Sequence, residues 1–82
     1  NNNLHYPRAA ATSGVSGRVF VSFVVNTDGS LTDVQVLKGI GFGCDEEAVR
    51  VIQKMPNWRP GKQSGRPVRV KYNLPIVFAL EP

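Results

Sequence analysis

At 82 residues, with ten Lys and Arg against six Asp and Glu, one Cys and one His, the chain has the makings of one small basic domain. It has too few ligating side chains for a disulfide framework or a zinc cluster. The formal charge of +4 suits nucleic acid, anionic lipid or an acidic peptide, but the cations are scattered, so solubilising charge accounts for them. No apolar run reaches the ~20 residues of a membrane span; no charged-then-apolar leader is present, so any anchor or export signal lies upstream of Asn1.

Asn1 to His5 is polar and reads as the end of a linker. Tyr6-Pro7 opens a short helix through three consecutive alanines to Ser13, with Gly14 as its left-handed terminator. Gly17 to Asn26 alternates Val19, Val21, Phe23 and Val25 against a second face that is itself partly apolar, which predicts a central strand. Asn26 to Ser30 reads as a hairpin loop with Gly29 at positive φ. Its Asp and Asn lack the carboxylate count and pattern of a calcium loop. Leu31 to Lys38 is the returning strand, with Val34 and Val36 on the core side.

Gly39, Gly41 and Gly43 form a connection rather than a phosphate cradle, since neither the Rossmann nor the P-loop spacing is present. Cys44 to Met55 is the strongly amphipathic helix, with Cys44, Ala48, Val51, Ile52 and Met55 on one stripe and Pro56 as its stop. Asp45, Glu46 and Glu47 in its first turn complement the helix dipole. Consecutive carboxylates there diverge around the axis, and Cys44 has no His near it in sequence to activate it, so neither a metal nor a catalytic site is assigned. Met55 to Arg66 is a loop whose Trp58 anchors it across the end of the core.

Pro67 to Phe78 carries the cleanest period of two, with Val68, Val70, Tyr72, Leu74, Ile76 and Phe78 on one face. Pro75 lacks an N–H, so the strand belongs at a sheet edge with that position facing outwards. By parity, residues 69, 71 and 73 then face outwards as well. The order helix-strand-strand-helix-strand predicts a two-layer α+β domain: a three-stranded antiparallel sheet with two helices on one face. Domain boundaries are expected at 6–80, with 1–5 as linker and 81–82 as tail.

Taken in order, Tyr6-Pro7, the run Gly17 to Ser30, Asp33-Val34-Gln35-Val36, Asp45-Glu46-Glu47-Ala48, Trp58-Arg59-Pro60-Gly61 and the closing alternating strand resemble the TonB C-terminal domain family. The likeness covers about Tyr6 to Leu80, and the run from Met55 to Lys62 is most similar to the versions in Bacteroidetes-type bacteria. The resemblance implies the periplasmic part of an energy transducer. Such proteins are anchored in the inner membrane by an upstream segment, assemble with ExbB and ExbD, and bind the TonB box of outer-membrane receptors by strand addition. It implies a peptide-binding edge at Arg69, Val70, Lys71, Tyr72 and Asn73, with Arg69 and Lys71 favouring an acidic residue. Further peptide contacts are implied at Asn3 and His5, although Leu4 stands where the family usually has Pro. It implies no catalytic residue, no metal and no cofactor.

Two other readings compete. One keeps the fold as the C-terminal domain of another membrane protein, such as a peptidase-type sensor. The other is a basic α+β nucleic-acid binder using Arg66, Arg69 and Lys71; it lacks an aromatic platform on the polar face of its strands, and nucleic acid is not expected as a partner. An open edge strand also allows a homodimer.

Overall fold

The structure is a computed structural model that describes residues Leu4–Leu80. Helix α1 is Arg8–Thr12, strand β1 is Gly17–Val25, β2 is Leu31–Lys38, helix α2 is Cys44–Gln53, and β3 (Gly61–Gln63), β4 (Arg66–Val68) and β5 (Val70–Phe78) complete the order. The main sheet is antiparallel in the order β2-β1-β5. As the periodicity predicts, β1 is central and β5 lies at an edge.

The core follows from the period-2 pattern of β1. Val19, Val21, Phe23 and Val25 are buried on one face, against Ala10, Cys44, Ala48 and Ile52 from the helices and Ile76 and Phe78 from β5. Fully burying each of these larger side chains contributes about 1.5–3 kcal/mol. Four residues of α2, Cys44, Ala48, Val51 and Ile52, supply its buried stripe. Helix α1 ends as its sequence requires: Gly14 takes φ 67°, and the N–H of Val15 reaches back to the Ala10 carbonyl at 2.8 Å.

The loops are fixed by side chains as much as by backbone. Asp28 accepts from the Ser30 N–H at 2.9 Å and from the Ser30 hydroxyl at 2.7 Å, an Asx-type closure of the β1–β2 hairpin. Gly29 adopts φ +88°, and a Cβ there would collide with the Trp58 carbonyl. The close approach has a purpose, since the Trp58 N–H donates to the Gly29 carbonyl at 2.8 Å. Trp58 thereby closes the core as the sequence predicts, its ring edge-on to Phe23 at 5.1 Å and tilted against Tyr72 at 5.4 Å. Before α2, Asp45 folds back to accept from the N–H groups of Ile40 and Gly41 at 2.9 and 3.2 Å. That contact explains the first glycine of the run: a Cβ at Gly39 would strike the Asp45 carboxylate.

Three expectations are corrected. The expected single strand over Pro67–Phe78 is two strands, because Ser64 and Gly65, at φ 53° and 78°, form a two-residue turn that folds β4 onto β3. Helix α2 stops at Gln53, ahead of Met55. Val34 packs against the core, but Val36, although on the same side, is 36% exposed at the rim.

Candidate functional site

The two edges of the sheet differ. Along β2 the pairing with β1 slips at two places, and Asp33 takes φ 55° at one of them, opposite Phe23. Bulges of this kind spoil a template for further strands. In contrast, β5 pairs with β1 over nine consecutive positions without a slip, from Gly17 opposite Phe78 to Val25 opposite Val70. The regular edge is therefore the one that carries Pro75.

Register fixes which backbone groups this edge leaves open. The N–H of Asn26 points towards β2, where it donates to the Ser30 carbonyl at 2.9 Å. Alternation along β1 then turns Val25, Phe23, Val21 and Val19 towards β5, opposite Val70, Tyr72, Leu74 and Ile76. The backbones of Lys71, Asn73, Pro75 and Val77 face the other way, which is the parity that a proline tolerates. Lys71, Asn73 and Val77 offer both N–H and C=O, and Pro75 offers C=O alone.

The five residues expected on the edge take different positions. Lys71 and Asn73 are exposed, with their backbones on the open row. Val70 and Tyr72 have inward backbones and half-buried side chains, the Tyr72 ring stacking on Phe23 at 6.1 Å. Arg69 lies outside β5, between it and β4. Its counterpart in register would be Asn26, one position beyond the end of the ladder, which closes at Val25 opposite Val70. Its guanidinium instead donates to Asn26 Oδ1 at 3.0 Å and lies 3.6 Å from Asp33 Oδ2. Both ion-pair partners are more than 60% exposed, so the contact contributes at most about 1 kcal/mol.

The segment before α1 flanks the far end of the same edge. The His5 backbone N–H donates to Glu47 Oε2 at 2.7 Å. Tyr6 sets its ring edge-on to Phe78 at 5.7 Å and donates its hydroxyl to the Val15 carbonyl. Leu4 packs against the core. With Val51, Pro75, Ile76 and Val77 it bounds an apolar cleft of about 210 Å³. Asn3, the other expected contact before α1, lies outside the described residues.

The only acidic side chains of the helix layer are Asp45, Glu46 and Glu47 in the first turn of α2. Glu47 is held below the ordinary glutamate range, chiefly by the Arg50 guanidinium at 2.7–2.8 Å and further by the His5 N–H. The Cys44 thiol is pushed up by burial and then by Asp45 and Glu46, which keeps it protonated. Residues 59–71, by contrast, contain Arg59, Lys62, Arg66, Arg69 and Lys71 and no carboxylate. All five are exposed; Arg69 and Lys71 flank the first residue of β5, and Lys62 and Arg66 stand on the β3–β4 hairpin that precedes it. The sequence signal for this hairpin was Ser64-Gly65 between two short extended runs, hidden because the apolar alternation from Val68 onwards reads as continuous.

Comparison with known proteins accounts for this architecture. Residues 2–80 match the family model described as the Gram-negative bacterial TonB protein C-terminal. The chain is 35% identical over 78 residues to the TonB protein of Pseudomonas aeruginosa, covering 93% of this chain and 22% of that protein. The solution NMR structure of the Helicobacter pylori TonB C-terminal domain superimposes with a TM-score of 0.75 and 29% identity, covering 99% of this chain and 85% of that one.

Proposed function

Because the chain belongs to the TonB C-terminal family, we propose that it is the periplasmic domain of an energy transducer and that the outer edge of β5 is where it grips an outer-membrane receptor. The chain spans about a quarter of the length of the curated relatives it matches, 22% and 26% of them. The inner-membrane anchor and the contacts with ExbB and ExbD are accordingly assigned to the rest of a longer protein. No helix among the described residues is long and apolar enough to cross a membrane.

The observation that carries this reading is the unbroken register of β5 beside a bulged β2. An extended receptor segment adds to the sheet by bonding the backbones of Lys71, Asn73 and Val77. Main-chain bonds supply affinity that tolerates many sequences, as suits a domain serving several receptors. Arg69 contributes from beyond the strand, as part of the cationic flank. No chemistry is assigned to the site: the domain transmits force and leaves covalent bonds alone.

Titrating the isotopically labelled domain with a TonB-box peptide, followed by amide NMR, tests this. The Lys71, Asn73 and Val77 amides are expected to move most, because they gain hydrogen bonds. Shifts confined to α2 would sink the proposal. The nucleic-acid reading keeps one point in its favour, the cationic stretch 59–71. Single-stranded DNA that fails to bind at low salt removes it.

A further inference from the structure

We infer that the β5 edge reads its partner strand at two ends, accepting an acidic side chain against Lys71 and an apolar side chain in the cleft formed by Leu4, Val51 and Ile76. The inference rests on strand addition and adds to it a side-chain rule. Residues that face each other across a ladder put their side chains on the same face of the sheet. Lys71 is opposite Val24, on the face away from the helices, and Ile76 is opposite Val19, on the helix face. A partner residue opposite Lys71 therefore projects onto that open face, beside the exposed Lys71 side chain. One opposite Ile76 projects towards α2, where the cleft begins.

The cleft fits this use. It is bounded by three consecutive residues of the edge strand, one from α2 and one from the segment before α1, and four of the five are Leu, Val or Ile. At about 210 Å³ it is smaller than the ~300–1,000 Å³ of a small-molecule site, and suited to one aliphatic side chain. It is continuous with the open backbone row, and Val77 beside it is 52% exposed. The cationic end is five positions away, about 17 Å along the strand. Because five is odd, the acidic and apolar side chains of the partner leave its backbone on opposite faces. The partner is thus an extended peptide with one carboxylate and one branched aliphatic residue five positions apart.

Synthetic ten-residue peptides of alternating Thr and Val test this, with one aspartate and one leucine five apart, made in both orders because a partner strand has two possible directions. In one of the two orders, replacing the leucine by alanine is expected to weaken binding about tenfold on the native domain, and no more than about threefold on Leu4→Ser. Replacing the aspartate by asparagine in that peptide should weaken binding about threefold at low salt and have no effect on Lys71→Gln. Both variants lie on the surface or before the first helix, and unchanged amide spectra elsewhere verify their folds. If neither replacement matters in either order while the Lys71, Asn73 and Val77 amides still shift, the two-ended rule is overturned and strand addition stands. If those amides shift with no peptide, strand addition itself fails.

Discussion

Glu47 links three elements through one carboxylate. It accepts from Arg50 within α2 and from the His5 N–H of the segment before α1, and its side chain is only 12% exposed. Its folded pKa is lowered, so the folded state binds a proton less readily than the unfolded chain. The stability this contributes is present above the unfolded value of about 4.3 and is lost as pH falls through the folded one. Asp28, held down by Ser30, titrates in the same direction, so the informative measurement is a difference. Urea unfolding of native protein and Glu47→Gln at several pH values should show a native advantage of about 1 kcal/mol near neutrality that shrinks as the pH drops below about 4.3 and is gone once the folded carboxyl protonates. At this scale the sequence was legible only in part. Alternation placed Ser22 on the second, partly sheltered face of β1, but not its full burial with the hydroxyl unpartnered. The cause is long-range: β2 and β5 bring Gln35 and Asn73 to either side of it.

Among the elements, β1, the start of β2 and the stripe of α2 were legible because their periodicity is local. The division between β4 and β5 was not, since it depends on where the pairing with β1 ends and on the Ser64-Gly65 turn that folds β4 onto β3. The bulges of β2 were equally hidden, as nothing in Leu31 to Lys38 announces a positive φ at Asp33. The edge parity was legible because Pro75 reports it directly, and it can be tested in the same terms. Asn73→Pro removes an outward N–H, so it should leave folding within about 1 kcal/mol of native while weakening strand addition severely. Tyr72→Pro removes an N–H that bonds to β1 and should cost about 3 kcal/mol or more, a large share of the stability of a domain of this size. Circular dichroism melts and peptide titrations on the two variants separate the cases. Equal destabilisation by both would show that the parity is wrong.

Across the whole molecule, one layer of acid-bearing helix lies against a sheet whose first and last strands differ in finish. Core and edge both follow from one arrangement, a central β1 with a regular neighbour on one side and a bulged one on the other. That asymmetry sets the valence of the domain. A protein with two regular edges is bivalent: copy adds to copy, and nothing ends the series. With β2 irregular, the main sheet of this one keeps a single regular edge. Two molecules that meet through β5 satisfy each other around a two-fold axis and have nothing left to offer. Concentrated solutions should therefore saturate at pairs, without longer species, in sedimentation-velocity runs. A receptor segment and a second copy would also contend for the same row of amides, so such a peptide should dissolve the pairs as it binds.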